Sequence, residues 1–176
     1  MTKAKLVGLC GSLRRDSLNH KLMLEAAALW PGDFAEASLR LPLYDGDLEA
    51  EGMPDSVTAL ADALAGADAI LFACPEYNKA PPGVLKNALD WLSRVKPNPL
   101  WGKPAAIVSA TAGRAGGERT QTMLRSMLVP HRVEPLTAPE VLVGGAADHF
   151  DDAGRLVTES YRELLQQLVK GLAGRV

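Results

Sequence analysis

The chain predicts an α/β fold, a three-layer doubly wound sheet of five parallel strands in the order two-one-three-four-five. Three observations carry that expectation. Short apolar runs alternate with helical stretches from end to end, the pattern of successive βαβ units with right-handed crossovers. The runs are apolar throughout, as in strands covered on both faces. Gly and Pro punctuate the junctions. At 176 residues the chain suits one domain, 1–176, with one substantial core. No internal repeat or low-complexity linker divides it.

Lys5 to Cys10 is the first strand, bounded by Gly11 and Ser12. Leu18 to Trp30 repeats apolar residues at helical spacing and stops before Pro31 and Gly32. Phe34 to Leu39 alternates enough for a strand, and Leu41 to Gly46 is loop material. Pro54 to Ala65 is a helix with Pro at its start and Gly66 just past its end. Asp68 to Cys74 is a buried strand leading to Pro75-Glu76-Tyr77-Asn78. Val84 to Val95 is a helix closed by Lys96-Pro97, and Lys103 to Ser109 is strand four. Gly113 to Gly117 is a flexible loop before a helix from about Glu118 to Leu128. Val133 to Pro135 and Glu140 to Val143 share a broken fifth strand, and Leu156 to Leu172 is the closing helix. Five strands with an early reversal give the flavodoxin-like order.

A net charge of −2 and few aromatics exclude a basic nucleic-acid footprint and a polyanionic tail. Met1 to Lys5 runs straight into the first strand, and no apolar run is long enough to cross a bilayer. The expectation is a soluble cytoplasmic protein with no membrane partner. Cys10 and Cys74 lack the spacing of a metal knuckle or a redox pair in C-x-x-C. They read as small buried hydrophobes, although neighbouring first and third strands bring both thiols to one sheet edge, where a redox pair is the alternative. His20, His131 and His149 are scattered without ligand spacing, so no metal is expected. No G-x-S-x-G elbow presents a serine nucleophile.

Two loops carry the chemistry. Gly11 to Asn19 follows strand one and opens a helix near Ser17. The unpaired N–H groups and positive dipole end of a helix start favour an anion. Ser12, Ser17 and Asn19 add polar donors, Arg14 adds charge, and Gly11 permits close backbone approach; the alternative is a plain N-cap with solvated arginines. The G-x-G-x-x-G fingerprint is absent, and Gly102-Lys103 is followed by Pro104, not by the Ser or Thr of a P-loop. A cysteine phosphatase spelling fails because Asp16 stands where a phosphate-binding Arg is needed. A receiver domain fails because Cys10-Gly11 and Cys74-Pro75 supply no acidic residues.

Pro75 to Asn78 places a carboxylate, an aromatic and an amide at the edge where open α/β sheets bind ligands. A phosphate cradle beside such a loop describes a site for FMN, with loop amides meeting the ring's polar edge. Glu76 as a solvated carboxylate and Tyr77 as a packing residue are the alternatives. Ser109 to Gly113, including Ala110, flanks the same ring from strand four. Gly116 and Gly117 offer either nicotinamide access or a mobile surface turn. Trp91 reads as packing or a subunit contact, and Asp90 with Arg94 as a surface pair at i,i+4 spacing.

Taken together, Gly11 to Asn19, Pro75 to Asn78 and Pro82 to Arg94 resemble the NADPH-dependent FMN reductase family, particularly its quinone-, chromate- and azo-dye-reducing members. Leu41 to Asp45 and Gly116 to Arg119 extend the match over nearly the whole chain. The resemblance implies that Ser12, Arg14, Ser17, Leu18 and Asn19 surround the FMN phosphate. It implies that Pro75, Glu76, Tyr77 and Asn78, with Ser109, Ala110 and Gly113, surround the isoalloxazine. It further implies NAD(P)H as co-substrate, ping-pong transfer to quinones, chromate, azo dyes, ferric complexes or free flavin, and a homodimer or tetramer with the Trp91–Arg94 helix in the contact. Lys79-Ala80-Pro81 departs from the aromatic, serine and aliphatic residues frequent in close members, which bears on substrate preference and the tetramer contact. The competing function is an FMN electron carrier reduced by a partner protein; its usual acidic docking face is missing from this near-neutral composition. A third, an interaction protein on the same fold without catalysis, stands against two intact ligand loops.

Overall fold

The computed structural model describes residues 3–176. Met1 and Thr2, part of the segment read as leading into strand one, lie outside the described residues. Strands β1 (Lys5–Cys10), β2 (Asp33–Ala37), β3 (Ala69–Ala73) and β4 (Pro104–Ala110) form a parallel sheet in the order β2-β1-β3-β4. The fifth position is split as expected: β5 (Glu134–Pro135) pairs with Pro104 and Ala105, while β6 (Val141–Val143) pairs with Val108 to Ala110.

The described residues form six α-helices, α1 (Leu18–Leu29), α2 (Gly46–Glu51), α3 (Asp55–Ala65), α4 (Gly83–Arg94), α5 (Glu118–Leu128) and α6 (Glu159–Ala173), of which all but α2 cover the sheet. Side chains alternate between the two faces of a strand, so the sheet has two cores. Leu6, Leu71 and Val108 pack with Leu22 and Met23 of α1 and with Leu165 and Leu168 of α6. Val7, Phe72 and Ile107 point the other way, toward Leu64 of α3, Leu85 and Leu92 of α4, and Leu124 of α5. Full burial of one such leucine contributes about 1.5–3 kcal/mol. Among the described residues no helix is long and apolar enough to cross a membrane.

The alternation also separates the two cysteines. Cys10 belongs to the α1/α6 core and Cys74 to the α3/α4/α5 core, and both are buried and unpaired. The sheet lies between the thiols, so sharing a sheet edge does not make them a redox pair.

One expectation is corrected and, for Trp91, packing is what the structure shows. Asp90 pairs with Lys86, not with Arg94, because Arg94 Nε reaches both carboxylate oxygens of Glu49 at 2.9 Å. Trp91 is fully buried in its own chain, with Nε1 donating to Pro42 O at 2.9 Å. Asn87 joins the same face of α4, donating to Pro42 O and accepting from Tyr44 N. Asn87, Trp91 and Arg94 thus fasten Leu41 to Glu51 onto α4 like a strap, and α2 lies within it.

Candidate active site

The carboxyl ends of β1, β3 and β4 open onto one cleft of about 280 Å³, lined by Ser12, Arg14, Ser17, Leu18, Asn19, Pro75, Glu76, Tyr77, Ala110, Thr111 and Ala112. The backbone dictates how these residues meet. Gly11 N donates to Ala73 O at 2.8 Å, which extends the ladder one residue past β1. A Cβ on Gly11 would lie 2.7 Å from Leu85 Cδ1 and 3.1 Å from Pro75 Cδ. The absence of a side chain there lets the first loop lie against the third loop and α4.

Ser17 is the N-cap of α1, and its hydroxyl accepts from His20 N at 3.4 Å. Lys21 N bonds Ser17 O. The Leu18 and Asn19 N–H groups precede the first closed turn and find no acceptor among the described residues. The Asn19 side chain is committed elsewhere: Nδ2 donates to Ala110 O at 2.7 Å and Oδ1 accepts from Ala110 N at 3.0 Å. It ties the start of α1 to the end of β4. Arg14 is exposed beside this cradle, with Nη2 donating to Asp16 O.

On the other wall, Tyr77-Asn78-Lys79-Ala80 is a two-residue hairpin closed by Tyr77 N to Ala80 O and Ala80 N to Tyr77 O. Asn78 at φ 52° and Lys79 at φ 69° both occupy the left-handed region, the signature of a type I′ turn. Tyr77 is half-exposed, and its hydroxyl donates to Ser12 Oγ at 3.4 Å, bridging the two walls. Asn78 sits at the hairpin tip, outside the lining. Gly113 borders a neighbouring depression with Arg114 and Arg119. Ser109 lies fully buried beneath the cleft, donating to Gly116 O and accepting from Gln121 Nε2 at 2.9 Å.

Residues on α5 that no motif flagged hold this wall. Thr120 N donates to Glu76 Oε2 at 3.3 Å, and Thr120 Oγ1 donates to Pro75 O at 3.2 Å. Glu76 thereby caps a helix whose N-cap residue, Gly117, has no side chain to do so. Gly117 is itself required: its φ is 95°, and a Cβ would meet Ser109 Oγ at 2.7 Å. The available sequence signal was two polar residues, Thr120 and Gln121, at inward positions ahead of Leu124.

The thiols below the loops are not poised for chemistry. Burial raises the Cys10 pKa, with the Ser12 amide and Ser17 hydroxyl opposing. Burial pushes Cys74 up to about 12, opposed by its hydrogen bond with the Thr120 hydroxyl. Both remain thiols at neutral pH, whereas reactivity requires thiolate.

The residues present fit a phosphorylated flat ring. Two unpaired amides, the positive end of α1 and the Arg14 guanidinium converge at one end, and backbone and the Tyr77 side chain line the other. Fold and cleft define a flavodoxin-like protein with an anion cradle beside a slot at the carboxyl edge of its sheet. Residues 4–148 match the NADPH-dependent FMN reductase family, and the chain belongs to that family of oxidoreductases. An NAD(P)H-dependent FMN reductase of Pseudomonas aeruginosa is 45% identical over 96% of this chain and 92% of the relative. A quinone reductase of Pseudomonas putida is 39% identical over 94% and 91%. The solved structure of FerB, a flavoenzyme NAD(P)H:(acceptor) oxidoreductase from Paracoccus denitrificans, superposes with a TM-score of 0.89 at 34% identity, covering 97% of this chain and 96% of that one.

Proposed function

We propose that the chain, acting as one domain over 1–176, is an FMN-dependent NAD(P)H oxidoreductase that reduces quinones by a ping-pong mechanism. The wider acceptor range is chromate, azo dyes, ferric complexes and free flavin. The observation that carries this reading is the convergence, in one cleft, of the unpaired α1 amides and Arg14 with the Tyr77 hairpin. Bound FMN supplies the hydride transfer from NAD(P)H to acceptor.

The chain's own residues bind and orient. The Leu18 and Asn19 amides, the Ser12 and Ser17 hydroxyls and Arg14 hold the phosphate. Asn19 keeps the cradle in register with Ala110. The Glu76 carboxylate is held at Thr120 N, so its negative charge is tied to the start of α5 while the loop backbone from Pro75 to Asn78 borders the ring. Ala110, Thr111 and Ala112 leave room for a broad plane, with Ser109 supporting them from below and Gly113 at the rim. Rate comes from proximity and a fixed polar surround. Nucleotide and acceptor use the same mouth beside Tyr77 and therefore take turns. The helix carrying Trp91 and Arg94 is the contact for a homodimer or tetramer, with Trp91 contributing from inside by holding the strap.

The test is an absorption spectrum of protein mixed with FMN and freed of excess, then given NADH or NADPH without oxygen. A retained flavin band bleached by nucleotide alone is the expected result. Retained flavin that stays oxidised points instead to an electron carrier, and no retained flavin overturns the reading of both loops. Steady-state plots against nucleotide and quinone run parallel for ping-pong order; intersecting lines refute it.

A further inference from the structure

Next to the cleft lies a depression of about 380 Å³ whose wall carries Lys79, Arg114 and Arg119 with the carboxylates of Glu76 and Glu118. Glu76 and Thr111 line both spaces, so the two meet there. None of Ser12, Arg14, Ser17, Leu18 and Asn19 lines the depression, and a ligand therefore passes from one space to the other without crossing the phosphate cradle.

Two of the cations stand on opposite lips, and each leaves a fixed backbone. Lys79 occupies the left-handed position of the hairpin after β3, at φ 69°. Arg114 belongs to the turn after β4, where Thr111 Oγ1 donates to Gly113 O at 3.0 Å and Gly145 N donates to the same carbonyl at 3.4 Å. A Cβ on Gly144 would collide with Arg114 O, so the segment after β6 packs directly against that turn. Both side chains are exposed.

The balance of charge favours an anion of low charge. Among the described residues neither Arg114 nor Arg119 pairs with a carboxylate. Glu76 gives one oxygen to Thr120 N and lies 3.8 Å from Lys79 Nζ through the other. Glu118 stands in the first turn of α5, where the positive end of the helix offsets its charge. Three cations against two engaged carboxylates leave a surplus suited to one negative charge. A nucleotide pyrophosphate, with two, needs a more basic wall.

We propose that this depression is an acceptor subsite in which Lys79 and Arg114 hold an acidic substituent, a carboxylate or sulfonate, of a flat quinone-type acceptor, so that the enzyme selects acidic acceptors over neutral ones. The inference rests on the reading of the neighbouring cleft as an NAD(P)H-using flavin site. The reduction itself is unaltered: the nucleotide supplies a hydride, water supplies a proton, the quinone becomes a hydroquinone, and the acidic substituent is left as it was.

The experiment compares the wild-type holoenzyme with Lys79→Asn, which keeps a residue tolerant of the left-handed region, and with Arg114→Ala, Arg114→Lys and Arg114→Glu. The probes are 1,4-naphthoquinone-2-sulfonate and the neutral 2-methyl-1,4-naphthoquinone. Acceptor kcat/KM is measured at rising salt, flavin reduction by nucleotide is followed by stopped flow, and FMN content is read by absorbance. In the wild type, kcat/KM for the sulfonate falls as salt rises while that for the neutral quinone holds. Lys79→Asn and Arg114→Ala lower the sulfonate value about fivefold and flatten its salt dependence. Arg114→Lys keeps most of it, and Arg114→Glu makes added salt favourable. The neutral quinone, the nucleotide half-reaction and FMN content stay constant throughout. The proposal is overturned if the two acceptors change in step, with or without loss of FMN, or if the salt dependence of the sulfonate survives every substitution. It is equally overturned if the variants slow flavin reduction by nucleotide and spare reoxidation by the sulfonate, because the depression then serves the nucleotide. A wild type that retains FMN but is not reduced by either nucleotide defeats the functional reading itself, and shows this before any acceptor is added.

Discussion

The two walls of the cleft rise from neighbouring strands, yet they are held in different ways. The wall after β1 is built into the core: Ser17 and Asn19 are buried, and Asn19 bonds both the N–H and the carbonyl of Ala110. The wall after β3 stands out from the surface as a hairpin closed by two backbone bonds between Tyr77 and Ala80, with Tyr77 half-exposed. Its tether to the core is Glu76 on Thr120 N. The first arrangement fixes a position, whereas the second fixes a shape and leaves its surface in solvent. The proposed function, one phosphate held while acceptors of several sizes are admitted, calls for both.

Breaking the rigid wall produces the largest expected effect. Asn19→Ala strands the buried N–H and carbonyl of Ala110, and unsatisfied buried groups cost about 1–3 kcal/mol each. The expected loss is about 4 kcal/mol in a urea titration, accompanied by loss of FMN binding. Arg14→Ala tests the same wall without touching the core. FMN affinity falls by about 1.5–3 kcal/mol, read by flavin titration, while the urea midpoint holds. Unchanged affinity removes Arg14 from the phosphate cradle.

The second wall responds to pH through its root. Cys74 titrates near 12 in the folded chain and near its ordinary 9.0 when unfolded. Above pH 9 the unfolded state binds fewer protons, so native stability declines as pH rises toward 12, by about 1.4 kcal/mol per pH unit. Urea midpoints at pH 8 and pH 10 should diverge in the wild type and less so in Cys74→Ala. Removing the tether with Glu76→Ala costs about 1 kcal/mol, as for loss of a helix cap. Glu76→Gln keeps most of that stability, and both variants are read by thermal melting and FMN titration. The smallest effect belongs to the hairpin tip: Lys79→Gly relieves a left-handed lysine at some cost in unfolded-chain entropy, for a net gain of about 0.5 kcal/mol.

The same contrast governs what the sequence disclosed. Apolar runs and Gly/Pro punctuation located β1, β3, β4 and α5 because burial on both faces and helix ends write themselves locally. The first loop was readable as a helix start because a helix start needs a cap, and Ser17 is one. The third loop was readable as a polar turn through its composition, but its support was not, since Thr120 lies 44 residues beyond Glu76. The same distance problem hid α2. That helix has no buried residue, so no apolar period marks it; its Glu49 meets Arg94 across 45 residues. It also misassigned Asp90, whose partner is decided by which acid claims Arg94. Ser109 looked like a lining residue because it ends a strand at the right edge, and only the turn at Gly116 and Gly117 shows it facing inward.

The strap over α4 contains its own optical gauge. Of the three tryptophans, Trp91 is fully buried, Trp30 nearly so, and Trp101 is 44% exposed. Trp91 alone holds Pro42, while the Tyr44 ring meets it edge-on at 5.0 Å. Lifting Leu41 to Glu51 uncovers that indole and breaks its N–H bond in a single event. In a variant retaining only Trp91, strap opening would therefore shift the emission to the red without any attached dye, and the timing of that shift relative to global unfolding would show whether the strap moves as a separate unit.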